Sequence, residues 1–264
     1  MKWNLIIKRI LNSNHMKKVI LSITFLFILN AAQAQENESS PKQNTASGNN
    51  LLKVNLLSLP LRNFSFSYEH KIGRKISAGL GFRFMPEGGV PMLSTISDMI
   101  DDPETSRQLE QIQTSNTAIT PEIRFYLGKQ AMRGFYVAPF ARYSKYKASL
   151  PFEFDVNGSA QTMPLSGELT TFTGGLQLGA QWRLGGGLYL DWWMLGPQYG
   201  TAEGSLDGKR ALSTQEQQEL RTELQDIEIP FADTKTSVDA NGARLDISGP
   251  WAGLRAGLSL GIRF

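Results

Sequence analysis

The sequence predicts an all-β chain, an eight-stranded antiparallel transmembrane β-barrel with short periplasmic turns and long extracellular loops, and three observations carry that prediction. The chain ends on AGLRAGLSLGIRF, in which Ala252, Leu254, Ala256, Leu258, Leu260, Ile262 and Phe264 share one parity against Gly253, Arg255, Gly257, Ser259, Gly261 and Arg263. A period of two over that length is a strand, and an apolar row outward with a polar row inward suits a lipid-facing barrel wall. Seven further segments alternate in the same sense. All three inner turns are short and three of the four outer connections are long, as in barrels with periplasmic turns and extracellular loops.

The elements follow in order. Lys17 and Lys18 precede the apolar run Val19 to Leu29, and Ala32-Gln33-Ala34 sets small residues around a cleavage point before Gln35. Residues 1–34 therefore read as a secretory signal peptide, with Met1 and Met16 both open as the true start. Residues 35–50, QENESSPKQNTASGNN, lack an apolar period and read as a disordered periplasmic tether. Residues 51–264 form one barrel domain. The leader holds Lys2, Lys8, Arg9, Lys17 and Lys18, five of 27 basic residues, so 22 basic residues remain against 24 acidic ones and the positive balance belongs to the leader. That removes the ground for a nucleic-acid partner. The absence of cysteine excludes disulfides, thiol catalysis and cysteine metal sites.

The first stave spans about Leu51 to Leu59. The second places Phe64, Phe66, Tyr68 and His70 opposite Ser65, Ser67 and Glu69; the third places Ile76, Ala78, Leu80, Phe82 and Phe84 opposite Ser77, Gly79, Gly81 and Arg83. In the fourth, Thr117 to Gly128, Thr120, Glu122, Arg124 and Tyr126 face inward and Pro121 predicts a bulge. The fifth turns Tyr136, Phe140 and Arg142 inward, the sixth Gln177, Gln181 and Arg183, and the seventh Tyr189, Asp191 and Trp193. Inner turns fall at Ile72–Lys75, Lys129–Arg133 and Gly185–Gly187. Outer connections fall at Pro60–Arg62, Pro86–Asn116, Lys145–Glu168 and roughly Gly200–Ser248. Within them, Asn157-Gly158 and Asn241-Gly242 predict type I′ hairpins that carry strands beyond the bilayer. Ser213 with Glu216 predicts a capping box opening a short helix to Ile227, and Thr95 to Gln113 is a weaker helical segment.

The candidate site is the barrel interior. Glu69, Glu122 and Asp191 face Arg83, Arg124, Arg142, Arg183 and Arg255, and eight strands leave a lumen just wide enough for side chains, so these read as a structural ion-pair network with Gln181. The hairpin at Gly185–Gly187 sets Gln181 opposite Asp191 and Arg183 diagonal to it, which predicts an Asp191–Arg183 pair. Phe264 reads as the C-terminal assembly signal. His70 faces lipid and Ser67 the lumen, so the two do not form a catalytic pair. Acidic residues at Asp98, Asp101, Asp102, Glu104 and Glu110, and at Glu216, Glu219, Glu223, Asp226 and Glu228, lack the spacing of a calcium loop. No catalytic residue, cofactor or metal is expected.

KVNLLSLPLRNFSFSYEHKIGRKISAGLGFRF, ITPEIRFYLGK and GFYVAPFARYSKY resemble a Bacteroidetes barrel domain family of unknown function, within the small outer-membrane barrels of OmpA- and OmpX-like architecture. The resemblance implies a fold and an outer-membrane location. Some members are encoded beside surface-fimbria components, which implies a role in surface assembly or adhesion. The sequence reading is thus a monomeric outer-membrane protein, not an enzyme, whose partners are outer-membrane lipid, the barrel-assembly machinery and cell-surface proteins engaged through its loops. A narrow small-solute channel is the alternative, and a lipid-modifying enzyme the third.

Overall fold

The computed structural model describes residues 48–93, 109–156, 159–225 and 231–264, all within one compact unit, Ala46–Phe264. The strands are β1 (Asn50–Asn55), β2 (Phe64–Lys71), β3 (Ile76–Gly89), β4 (Gln113–Tyr126), β5 (Gly134–Val156), β6 (Ser159–Gly185), β7 (Leu188–Lys209), β8 (Asp233–Asp239) and β9 (Gly242–Arg263), with helix α1 (Thr214–Gln225) between β7 and β8. Each of β1 to β7 pairs with the next, β7 pairs with β9, and β9 pairs back onto β1. Eight antiparallel strands thus close a ring, and closure leaves no edge along the paired wall. β8 is a ninth strand that lies only on the distal half of β9, from Asp233↔Ser248 to Asp239↔Gly242.

The expected alternation is present. On β4, Thr120, Glu122, Arg124 and Tyr126 are buried, while Ile119, Ile123 and Phe125 are exposed. Inward glycines make room for large neighbours. A Cβ on Gly179 would lie 2.4 Å from the Tyr136 ring, and one on Gly261 would lie 2.5 Å from the Lys53 stem. Large side chains from one strand therefore lie across bare backbone of the next, which is how a narrow lumen is filled without voids.

Several expectations are corrected. β1 stops at Asn55, and Leu59–Leu61 form a 3-10 turn. The end of the expected tether is folded: Asn50 N–H donates to the Phe264 carbonyl (3.1 Å), Phe264 N–H to the Asn50 carbonyl (2.9 Å), and Arg263 Nε to the Gly48 carbonyl (2.8 Å). Pro121 produces no bulge. The β4–β5 ladder passes from Ile119↔Tyr143 to Glu122↔Phe140 in unchanged register, so the missing N–H removes rungs instead of inserting a residue. Irregularities sit elsewhere, at Met85/Gly88 and in β7 between Trp193 and Gly196.

The outer connection Lys145–Glu168, in which a hairpin carrying strands beyond the bilayer was expected, is strand throughout its described residues. β5 and β6 continue in register from Lys145↔Thr170 to Val156↔Ser159. Likewise β7 and β9 pair as far as Lys209↔Gly242. The hairpin joining β8 to β9 turns on Ala240 and Asn241, one residue earlier than expected, because Asp239 pairs with Gly242. Neither Ala240 nor Asn241 has positive φ, so the turn is not type I′; the Asp239 carboxylate accepts the Asn241 N–H at 2.7 Å. The expected signal peptide, most of the tether and Asn157-Gly158 lie outside the described residues. So does most of Thr95 to Gln113, of which residues 109–111 are helical and Gln113 opens β4.

The strands therefore form two storeys. The register Tyr143↔Phe172, Phe172↔Thr201 and Thr201↔Pro250 marks one level around half the wall. On the short-turn side of that level the outward residues are apolar, such as Phe135, Leu176, Leu178 and Leu254. Beyond it the outward row becomes Lys145, Thr170, Glu203 and Ser248, while Met163, Leu165 and Leu245 are buried inside. α1 closes this distal storey. Leu220 and Leu224 pack against Met163, Leu165, Val238 and Ala243, each buried leucine stabilising the storey by roughly 1.5–3 kcal/mol.

Candidate functional site: a charged lumen in two parts

At the short-turn end, the lumen holds a buried network centred on Asp191 and Glu69. Lys53 Nζ lies 2.6 Å from Asp191 Oδ2 and 2.7 Å from Glu69 Oε2. Arg124 Nη1 lies 2.7 Å from the same Asp191 oxygen and 3.3 Å from Glu69 Oε2, and its Nε lies 2.6 Å from Glu122 Oε1. Hydroxyls complete the shell. Tyr136 donates to Asp191 Oδ1 (2.8 Å), while Tyr126 (2.5 Å) and Ser77 (2.6 Å) donate to Glu69 Oε1. Trp193 Nε1 donates to Asp191 Oδ2 at 3.0 Å. The Arg124 guanidinium also stacks 4.4 Å over the Tyr136 ring. Every charge here has a charged partner, and both central carboxylates accept further hydrogen bonds from hydroxyl or indole groups, the condition under which buried ions persist, although Arg124 Nη2 is buried without a partner.

The floor below the network is closed by the β4–β5 connection. Ala131 N–H donates to the Arg74 carbonyl at 2.7 Å, and Met132 packs with Leu51 and Tyr189. Gln181 holds this floor from inside: its Nε2 donates to the Met132 carbonyl (3.2 Å) while its Oε1 accepts from Arg124 (3.1 Å).

Above the network the lumen changes sign. Arg142 donates from Nε to Ser144 Oγ and from Nη1 to Thr120 Oγ1, each at 3.0 Å. Arg255 stacks 4.5 Å over the Phe140 ring and 5.3 Å from that of Trp193. Together with Arg83 they line a cavity of about 210 Å³ that also touches Tyr146, Trp251 and Leu254. Among the described residues no carboxylate pairs with Arg83, Arg142 or Arg255.

The sequence-named residues are therefore divided by the structure. Glu69, Glu122, Arg124, Gln181 and Asp191 meet in the lower network; Arg83, Arg142 and Arg255 meet in the upper cavity. Arg183 belongs to neither. It sits opposite Tyr189, beside the register shift that opens the three-glycine turn, where it is exposed at the rim. The expected Asp191–Arg183 pair is corrected accordingly: barrel closure brings Lys53 of β1 and Arg124 of β4 to Asp191 instead. Lys53, buried to 1% exposure, escaped the sequence reading because the short β1 was given no parity. Its signal was Leu52 and Val54 alternating with Lys53 and Asn55. Phe264 is outward and exposed at the short-turn end. His70 is exposed, its Nδ1 2.7 Å from Asn50 Oδ1, with Ser67 buried on the opposite face.

The distal storey carries an ordered surface. Ser213 Oγ accepts the Glu216 N–H (3.3 Å), and the Glu216 carboxylate accepts the Ser213 N–H (2.8 Å), so the expected capping box is formed. The Ser213 backbone N–H and hydroxyl, with Arg210 beside them, hold the Glu216 carboxyl below its ordinary range. Beneath α1 lies an apolar hollow of about 240 Å³ lined by Leu150, Leu165, Leu206 and Leu224. No group of His, Asp or Glu able to hold a metal occurs among the described residues.

Comparison with known proteins adds three findings. Among solved structures, the chain is similar to the translocator domain of the autotransporter NalP from Neisseria meningitidis, at 11% identity and a TM-score of 0.32 over 94% of this chain and 98% of that one. No curated protein matches it. Residues 22–196 match a family described as "Protein of unknown function (DUF3575)", and since that match covers about two thirds of the sequence, the chain belongs to the DUF3575 family.

Proposed function

We propose that this chain is an integral outer-membrane barrel protein, not an enzyme, that acts at the cell surface in adhesion or surface assembly through its distal storey. One observation carries this reading: the inversion of polarity at a single level of the wall. Below the level, Phe172, Leu176 and Leu254 are outward and exposed around a polar lumen, an arrangement unfavourable in water and suited to hydrocarbon. Above it, polar residues face out around an apolar core, which suits an aqueous exterior. The 23 residues of β5 and 27 of β6 are about two to three times the roughly 9–11 that a tilted strand needs to cross a bilayer. The excess builds an ordered platform instead of mobile loops, and ordered structure on a rigid scaffold is where recognition residues sit.

Its implied partners are outer-membrane lipid, the barrel-assembly machinery and a surface protein, with the barrel as a monomer. A peptide epitope inserted between Asn157 and Gly158 tests the reading. It is expected to be labelled on intact cells, in a protein that fractionates with outer membranes and shows heat-dependent gel mobility. An epitope reached only after lysis, or a protein recovered without detergent, would refute it.

A further inference from the structure

The ring has a gap. On its free side β9 pairs with β1 from Arg263 to Ser259, and Leu56 N–H adds one bond to the Leu258 carbonyl. β8 takes over only at Ser248. From Pro250 to Gly257 no strand of the described residues pairs with that edge. The cavity lined by Arg83, Arg142 and Arg255 is also lined by Ala252, Gly253 and Leu254. Ala252 and Leu254 belong to the outward row of β9. Arg83 and Arg142 face inward from the other side of the lumen, so the cavity reaches across the lumen to β9 at the gap.

The charges around it do not balance. The lumen holds Lys53, Arg83, Arg124, Arg142 and Arg255 against Glu69, Glu122 and Asp191. All three carboxylates are held by Lys53 and Arg124 in the lower network. The upper arginines have only hydroxyl and ring partners, and two of their polar atoms, Arg83 Nε and Arg255 Nη1, are buried without any partner. Buried guanidinium groups without a carboxylate in salt-bridge contact are unfavourable, and buried donors without acceptors are rare. Both point to an oxyanion, and the planar forks of arginine match phosphate oxygens. Outside the gap the surface is oily. Leu254 is 68% exposed, and the connection that leaves β1 at the lower end of the gap carries exposed Leu56, Leu57, Leu59 and Leu61.

We propose that this gap holds the phosphate head group of an acidic membrane lipid among Arg83, Arg142 and Arg255, with the acyl chains outside against Leu254 and the leucines of residues 56–61. The proposal rests on the membrane reading above and adds a specific ligand class to it. Closure of the floor by Met132 makes the cavity a binding site and not a passage.

Native mass spectrometry of the full chain in dodecyl maltoside tests it, with phosphatidic acid as probe, phosphatidylcholine as the zwitterionic control and inorganic phosphate as competitor. One phosphatidic acid is expected to be retained at least about tenfold better than phosphatidylcholine. Arg142→Gln and Arg255→Gln should each lower that retention about tenfold, the scale of a lost charge-assisted contact, while Arg183→Gln leaves it unchanged. Heat-dependent mobility reports folding of each variant. Leu254→Asp, on the outer face, should lower lipid retention without any change inside the lumen, and carries the test if an arginine variant misfolds. Equal retention of the two lipids, indifference to Leu254→Asp, or full displacement by millimolar inorganic phosphate would overturn the lipid assignment with the barrel intact. Recovery of the chain in a soluble fraction would overturn the membrane reading and this proposal together.

Discussion

Asp191 receives Lys53, Arg124, Tyr136 and Trp193 on two oxygens, so its removal leaves Lys53 and Arg124 to share Glu69 and Glu122, two carboxylates in place of three, in a lumen floored by Met132. Asp191→Ala is expected to destabilise the folded barrel by about 3–5 kcal/mol, the scale of breaking a buried pair. Denaturant unfolding in lipid vesicles measures this. Lys53→Met added to Asp191→Ala should recover part of the loss, whereas Arg183→Met should add independently, since Arg183 lies exposed at the rim. A cycle that couples Asp191 to Arg183 and not to Lys53 would contradict the network. The sequence named five of the network's members because the parity of β2, β4, β6 and β7 was readable from large apolar groups on one face. It missed Lys53 and mispaired Arg183 because it reasoned within hairpins, whereas the contacts of Asp191 cross the lumen. Glycine positions were equally silent about their neighbours. Gly179→Val should fail to assemble, because the Tyr136 ring already occupies the space a side chain would need, and slow or absent acquisition of the heat-resistant band would show it.

At the scale of elements, α1 depends on local chemistry as well as on packing. Ser213→Ala removes the acceptor for the Glu216 N–H and is expected to cost the helix about 1 kcal/mol, read as faster hydrogen exchange across Thr214–Gln225. The Glu216 carboxyl, held below its ordinary value by the Ser213 backbone N–H and hydroxyl, contributes in its charged form. Its contribution is present above the unfolded-state value and is lost as pH falls through the lower folded-state value. Exchange protection in α1 should therefore decline as the medium is acidified below the ordinary glutamate range, and Glu216→Gln should flatten that dependence. The helix was legible in the sequence because a capping box and leucines at helical spacing are local signals. The extensions of β5 and β6 were legible only in part: Asn157-Gly158 predicted a hairpin beyond the bilayer, but the outward row changes from Phe172 to Thr170 and Glu168, so a rule that seeks apolar outward residues does not show that the strands run on unbroken to it. The backbone ladder continues because hydrogen bonding does not depend on which face is oily.

At the scale of the whole molecule, the two storeys are separate solutions to one constraint, that each strand buries one face. The lower storey puts its apolar face into lipid, and the upper folds its apolar face around α1, so the upper should be removable without harm to the lower. The cut has to respect this. Excising only residues 210–241 would take away α1 and β8 and leave Met163, Leu165 and Leu245 facing water, so that variant should insert but bind a hydrophobic dye and aggregate. Replacing residues 147–168 and 202–249 each by a two-residue turn instead closes the wall at Tyr146↔Leu169 and Thr201↔Pro250, near the level where polarity inverts. The shortened barrel is expected to reach the outer membrane and keep heat-dependent mobility, because every outward apolar row and the whole Asp191 network remain. It should also give no stable conductance in planar bilayers, since Tyr136, Phe140, Trp193 and Met132 still fill the lumen. Surface binding should disappear with the platform. A shortened barrel that fails to insert would show that the distal storey is needed for assembly, and one that inserts and retains surface binding would move recognition to the remaining outer connections, residues 56–63 and 90–112.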